Sequence, residues 1–241
     1  MLHKTRGIVF KVTDYSESSV VAKIFTEKFG LQAYLINGVK KSRAKIRLNM
    51  LQPLHLLDMV VYHKPNGNIQ RIAELRNQPL LQQIPYDIVK SSLAIFINEA
   101  LYRSVKQHFE DRPLFEFIFS SIELLDKTEA GLANFHMVFL LQLSRYLGFY
   151  PERSQEDEMP YFDLKNGMYT GSFPVHSFVL REEETKLFKA VLKTKFETLQ
   201  SLHMSSSDRK QLLEKIIVFY KLHLDDFGEM RSASILEEIL S

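Results

Sequence analysis

From Arg6 to about Glu74 apolar and polar residues alternate with a period near two, broken at short intervals by turn residues. That is the spacing of strands with one buried face. It predicts strands at Gly7 to Thr13, Ser19 to Thr26, Leu31 to Ile36, Leu54 to His63 and Ile69 to Leu75. The expected turns are Asp14-Tyr15-Ser16-Glu17, Phe29-Gly30 and Pro65-Asn66-Gly67-Asn68, with a longer basic segment before the fourth strand. Five short antiparallel strands in about 70 residues suit a closed barrel of the OB type, because closure removes exposed edges; an SH3-like barrel would have a similar strand count.

Between Arg76 and Pro85 the pattern turns polar, and Pro79 and Pro85 bracket a segment that cannot join a regular ladder. Beyond it the period becomes 3.6. Ile88, Val89, Leu93, Phe96, Ile97, Ala100 and Leu101 form one stripe of a helix starting near Tyr86. A second helix is expected after Asp111 as N-cap, with Pro113 in its first turn. A third, Leu132 to Leu147, is apolar almost all round, which puts it at the centre of a bundle. Gly148 and Pro151 end it, and Glu152 to Met159 form an acidic loop expected to be mobile. Tyr161 to Thr170 reads as a hairpin turning at Asn166-Gly167. Two more helices are expected near Glu182 to Gln200 and Asp208 to Leu224, the last closed by Gly228 as its C′ residue. The fold class is therefore α+β. An N-terminal OB-type five-stranded β-barrel occupies residues 1–78, and an α-helical bundle domain occupies 79–241, with a small β-hairpin inserted near 161–176.

Composition changes this picture in two ways. The chain has no cysteine, which excludes disulfides, thiolate nucleophiles and Cys-ligated zinc and fits a reducing compartment. It also carries no apolar leader and no run long enough to span a bilayer, so the expectation is a soluble cytoplasmic protein with no membrane partner. The net charge of +2 hides a division. Residues 1–80 carry thirteen Lys and Arg against five Asp and Glu, a net +8, which leaves −6 for the rest. Such asymmetry points to a polyanion meeting the basic part.

The charge is densest in Gly38-Val39-Lys40-Lys41-Ser42-Arg43-Ala44-Lys45-Ile46-Arg47. In an extended conformation Lys41, Arg43, Lys45 and Arg47 would face one way and repel unless an anion answered them, most commonly a phosphate chain. An isolated run of this kind is more often a solvated loop, but a barrel of net +8 reverses that preference. Lys40, Lys41, Arg43, Lys45 and Arg47 are thus the expected contacts to a nucleic-acid backbone, with Lys4, Arg6, Lys11 and Arg71 as a further path. Of the aromatics Phe10, Tyr15, Phe25, Phe29, Tyr34 and Tyr62, most are expected in the barrel core and roughly two free to stack on bases.

Catalytic constellations are scarce. The eight histidines are scattered and no glycine-rich phosphate loop occurs, so no enzyme activity, metal or cofactor is expected. Asp225-Asp226 and Glu182-Glu183-Glu184 read as capping or solvated charges at helix ends. Arg145 in the nearly all-apolar third helix must be paired or must reach the surface. With Phe149 and Tyr150 it suggests a groove for an acidic, apolar peptide.

The order of these features resembles that of the bacterial RecO family of DNA-repair and recombination mediators over essentially the whole chain. The likeness rests on Thr5 to Phe10 followed by Tyr15 to Ser19 and Thr26 to Gly30, and on Gly38 to Arg43 followed by Leu51-Gln52-Pro53-Leu54. It rests also on Leu143 to Pro151 with its Leu-Gly-Phe before a proline, and on the closing Arg231-Ser232. The resemblance implies an OB domain binding single- and double-stranded DNA and a helical domain taking the acidic C-terminal tail of single-strand-binding protein. It further implies strand annealing and, with RecR, assistance to RecA in replacing single-strand-binding protein. Many relatives carry a four-cysteine zinc hairpin; here the matching segment, Tyr161 to His176, has no cysteine and is expected to be held by Phe162, Leu164, Tyr169 and Phe173. Two other readings stay open: an RNA-binding OB protein acting in translation, and a metal-dependent nuclease. The second would need carboxylates clustered near the basic face, whereas residues 1–80 offer Asp14, Glu17, Glu27, Asp58 and Glu74 on different strands.

Overall fold

In the computed structural model, which describes residues 1–65, 67–151 and 159–240, the first strand, β1 (Leu2–Asp14), is long enough to serve two neighbours. Its first half, Leu2 to Ile8, pairs with β4 (Leu56–Tyr62), and its second half, Gly7 to Asp14, pairs with β2 (Val20–Thr26). With β3 (Gly30–Ile36) and β5 (Gln70–Asn77) this gives a closed barrel in the order β1-β2-β3-β5-β4. Gly7 stands where β1 changes partners. A Cβ there would lie 2.5 Å from Met59 Cε and 2.7 Å from Ile24 Cγ2, so the strand can cross the core only without a side chain. A bulge between Val9 and Lys11 adds bend and twist just beyond it.

Val9, Val20, Ala22, Ile24, Tyr34, Leu57, Met59 and Val61 fill the barrel. The outer face of β1 and β2 is also buried. Phe10 and Phe25 stack there at 5.8 Å, and Phe25 meets Phe115 of α2 (Arg112–Lys127) at 5.9 Å. Each such fully buried ring contributes about 2–3 kcal/mol of transfer free energy. Asn98 of α1 (Ile88–Ser104) donates to the Phe10 carbonyl at 3.0 Å, fixing that helix on the same face. The strands thus end at Asn77, while the first compact unit runs on through both helices, Met1–Lys127.

The segment between the prolines is pinned to the end of α2. Asp126, 6% exposed, accepts the backbone N–H groups of Gln82, Gln83 and Ile84 at 2.8 Å, and the buried Lys90 ammonium donates to the Asp126 carbonyl at 2.7 Å. Burial of Lys90 turns the expected apolar stripe of α1. Leu93, Phe96, Ile97, Ala100 and Leu101 face inward as expected, but Ile88 is 69% exposed. Asp87 caps α1 through Val89 and Lys90, and Asp111 accepts from Leu114 at the start of α2.

The second unit, Thr128–Ser241, is built round α3 (Leu132–Tyr146), which packs against α4 (Glu182–Lys193) and α5 (Ser206–His223). Phe135, Phe139, Phe162, Phe188, Phe219, Tyr220 and Phe227 are its largest buried side chains. Tyr220 donates its hydroxyl to the Leu140 carbonyl at 2.6 Å, and burial pushes its phenol well above the usual value. Three differences from the sequence reading appear here. The hairpin β6 (Tyr161–Asp163) and β7 (Met168–Thr170) gains a third strand, β8 (Val179–Leu180). The helix expected to run from Glu182 to Gln200 stops at Lys193 and resumes as a 3-10 helix, Phe196–Ser201. Gly228 is not the C′ residue of α5, because the helix already ends at an extended Leu224. A further helix, α6 (Ser232–Leu240), follows. Most of the expected acidic loop, residues 152–158, and Asn66 of the expected turn lie outside the described residues.

Candidate nucleic-acid interface

The basic segment after β3 is a succession of turns, not an extended strand. Gly38 has φ +73°, Lys41 N–H donates to Gly38 O, and Ala44 N–H donates to Lys41 O, both at 3.1 Å. The period-two alignment of its cations therefore does not apply. A different device presents them. Val39 is 3% exposed in the barrel core and Ile46 packs against that core, so the apolar residues pin the loop while Lys40, Lys41, Arg43, Lys45 and Arg47 stay exposed. Lys40 is held by Asp14 at 2.7 Å. Among the described residues the other four make no ion pair.

The β1–β2 turn is fastened to this loop. Ser19 Oγ donates to Asn37 Oδ1 at 3.1 Å, and the Lys40–Asp14 pair makes a second tie. The turn carries Tyr15, 63% exposed. Of the six aromatics, Tyr15 and Tyr62 are open to solvent, Phe10, Phe25 and Tyr34 are buried, and Phe29 is stacked on His63 at 3.9 Å.

The further path does not hold together as one track. Arg6 donates to Glu27 at 3.0 and 3.1 Å and to Glu116, and its guanidinium lies 5.1 and 4.9 Å from the ring centres of Phe115 and Phe119. Those bonds to Glu27 and Glu116 push its pKa higher still and hold the Glu27 carboxyl below the usual range. Arg6, expected as a DNA contact, is thus committed to two carboxylates. Lys4 is exposed beside Asp58, Glu74 and Arg76, Arg71 is exposed on β5 opposite Tyr62, and Lys11 lies 4.9 Å from the Tyr102 ring centre.

Sequence reasoning missed a groove of about 500 Å³. Lys23 of β2, Gln32 and Ala33 of β3, and His63, Pro65, Gly67 and Asn68 of the β4–β5 loop line it. Strands 2 and 3 with that loop form the face on which OB barrels bind oligonucleotides. The buried Gln70 side chain shapes the loop, accepting from Lys64 N–H at 2.9 Å and donating to the carbonyls of Lys64 and Gly67 at 2.9 and 2.7 Å. Phe109, 64% exposed, stands at the groove with Lys28 and His108. The period-two pattern held a signal for Lys23, which shares a strand face with Phe25.

Comparison with known proteins places the chain in a family. Residues 1–77 match the family model for the recombination protein O N terminal domain and residues 85–232 that for its C terminal domain. The "DNA repair protein RecO" of Bacteroides fragilis is 35% identical over 240 residues, covering 99% of both chains. That of Flavobacterium johnsoniae is 36% identical over 239 residues, again 99% of both, and that of Phocaeicola vulgatus 32% over the full length of both. The chain belongs to the RecO family.

The four-cysteine zinc hairpin implied for many RecO relatives cannot be built here, because the chain has no cysteine. Among the described residues no three His, Asp or Glu side chains converge as a cage either. The hairpin is held by Phe162, Leu164 and Tyr169, all buried; Phe173, expected to join them, is 52% exposed and sets its ring against that of Tyr161. Its turn is organised by Asp163, which accepts from the backbone of Lys165 and Asn166 and from Asn166 Nδ2, and has His176 Nε2 at 3.3 Å. Burial alone would raise the Asp163 carboxyl, but these partners hold it below its ordinary value.

The three residues expected to take a RecO partner peptide divide. Arg145 is exposed, with its guanidinium 4.5 Å from the Tyr150 ring centre, and makes no ion pair among the described residues. Phe149 packs among Phe219, Tyr220 and His223. A cavity of about 520 Å³ lies between α5 and α6, beside the buried His136. Among the described residues no helix is long and apolar enough to cross a membrane.

Proposed function

We propose that this RecO-family DNA repair protein is a recombination mediator that works by binding and not by catalysis. In the cytoplasm it binds single- and double-stranded DNA, anneals complementary strands and, with RecR, helps load RecA onto DNA coated by single-strand-binding protein. The observation that carries the reading is the pinned loop of Lys41, Arg43, Lys45 and Arg47, four exposed cations with no acid to answer them among the described residues. Cations so placed neutralise phosphates without reading bases, and they lower the repulsion between two strands that must meet. Lys40 adds to the loop when Asp14 releases it, and Lys4, Lys11 and Arg71 extend the contact.

In the second unit Arg145 and Tyr150 supply a cation on an aromatic platform for the acidic C-terminal tail of single-strand-binding protein. An annealing assay on bare and coated complementary strands tests the whole reading. The expected result is faster annealing of both, with the coated strands dependent on Arg145. Combining Lys41→Ala, Arg43→Ala and Lys45→Ala should flatten the log–log salt slope of single-strand binding by about two units, at about 0.7 per phosphate released. Absence of annealing, or unchanged slope and annealing in that variant, overturns it. A protein that prefers structured RNA in competition would instead belong to translation.

A further inference from the structure

Lys11 of β1 and Lys23 of β2 are direct cross-strand partners, an arrangement in which like charges repel. Among the described residues no carboxylate pairs with either of them. The side chain that meets both is Tyr102 of α1. The ammonium groups of Lys11, Lys23 and Lys106 lie 4.9, 5.3 and 5.6 Å from the centre of its ring, approaching from two strands and from the segment after the helix. Lys23 donates to the Tyr102 hydroxyl at 3.5 Å, and Lys106 donates to the Tyr102 carbonyl at 3.2 Å. All three lysines are exposed, and among the described residues none makes an ion pair.

The cluster is built, not scattered. The bulge at Val9/Lys11 resets the register so that Lys11 stands opposite Lys23. Asn98, one helical turn before Tyr102, holds α1 to the Phe10 carbonyl, immediately beside Lys11 in the chain. A neutral ring attracts each of these cations, but it cannot cancel three positive charges gathered around it. The phenol registers the excess. Burial alone would raise its pKa, yet the charges of Lys23 and Lys11 bring it below the ordinary value. Because the hydroxyl oxygen accepts from Lys23, its own proton is free to donate outward.

We propose that Lys11, Lys23, Lys106 and the Tyr102 hydroxyl form a seat for one phosphate group of a bound nucleic-acid backbone, separate from the basic loop after β3. The inference rests on the nucleic-acid-binding reading above and assigns a second contact within it. Three ammonium donors and one hydroxyl match the acceptor oxygens of a phosphodiester, and the seat has no feature that reads a base. Since Lys23 also lines the 500 Å³ groove on β2 and β3, a phosphate held here leads its strand along that face.

The test uses the full chain and fluorescein-labelled oligo-dT, with affinity measured by anisotropy across a salt series. Replacing Lys11, Lys23 and Lys106 by alanine together should flatten the log–log slope by about two units, at about 0.7 for each cation that no longer neutralises the backbone. Lys165→Ala with Lys195→Ala, which removes charge from the second unit, should leave it unchanged. Inorganic tripolyphosphate at constant ionic strength should displace oligo-dT from the unaltered protein more effectively than from the triple variant. An unchanged slope in the triple variant overturns the seat and leaves the basic loop as the DNA-binding element. Equal flattening by the control pair overturns it too, because net charge alone is then at work. Loss of tripolyphosphate competition without a change in slope marks a site for free polyphosphate and overturns the backbone assignment. An unaltered protein that binds no DNA overturns both this inference and the reading on which it rests.

Discussion

Arg6 separates a structural cation from a binding one, because its two roles predict opposite results. Its side chain is 33% exposed and that of Glu27 only 18%, so their pair lies between the surface and buried limits. Exposed pairs contribute about 0–1 kcal/mol and removal of one partner from a buried pair costs about 3–5 kcal/mol, which places this network near 2 kcal/mol. Loss of the guanidinium over Phe115 and Phe119 adds about 0.5–1 kcal/mol. Arg6→Met keeps most of the stem and should lower unfolding free energy by about 2–3 kcal/mol in urea at pH 7. The Glu27 carboxyl is held below its ordinary 4.5 chiefly by its bond to Arg6. Its contribution is therefore present above that value and lost as pH falls through the lower folded one, so variant and parent should converge in acid. The salt slope for single-stranded DNA should not change. A stability equal to the parent's with a slope reduced by about 0.7 would refute the argument and return Arg6 to the DNA path.

Three other side chains give comparable tests. His136 is fully buried and kept neutral, with its pKa lowered from 6.5 to about 3 by desolvation and by the charge of Arg209. The unfolded chain takes up this proton first, so stability is lost as pH falls from 6.5 towards 3, by about 2 kcal/mol at pH 5. Urea midpoints at pH 7.5 and pH 5 should differ less in His136→Gln than in the parent, and an equal difference would count against the buried neutral form. Phe149→Ala, which vacates a site among Phe219, Tyr220 and His223, should cost about 2–4 kcal/mol, whereas Arg145→Glu should unfold at the parent's midpoint yet bind an acidic C-terminal peptide more weakly. Unchanged peptide affinity in folded Arg145→Glu would remove Arg145 from that role.

What the chain reveals before folding follows from how far apart the cooperating residues stand. Strand periodicity is local, and the five barrel strands are legible from it. β1 extends furthest beyond its expected start, because its first residues, Leu2 to Lys4, are open to solvent on at least one side and carry no clean alternation. The third helix is legible for the same reason, since its apolar residues follow one another along the chain. The anchoring of the segment after β5 is not. It depends on Asp126 reaching back more than forty positions to Gln82, Gln83 and Ile84, and a polar stretch between prolines reads as a linker until that carboxylate is in place. The basic loop stood out as a run of charges, while its conformation did not, because Gly38 and two turn hydrogen bonds decide it where alternation suggests a strand.

The same distance argument distinguishes the two cation sites. In the loop, Lys41, Arg43, Lys45 and Arg47 are neighbours in sequence, need no fold to meet, and depend on the barrel only for the anchors Val39 and Ile46. Lys11, Lys23, Tyr102 and Lys106 come from two strands, a helix and the segment beyond it, and they converge only because the register, the bulge and Asn98 are right. A one-residue slip of β2 would turn Lys23 to the other face of the sheet and dissolve the second site while leaving the first intact. Charge density along the chain therefore finds the loop and misses the seat. A positional code of that kind becomes visible only once strand pairing places like charges opposite each other with a ring against both.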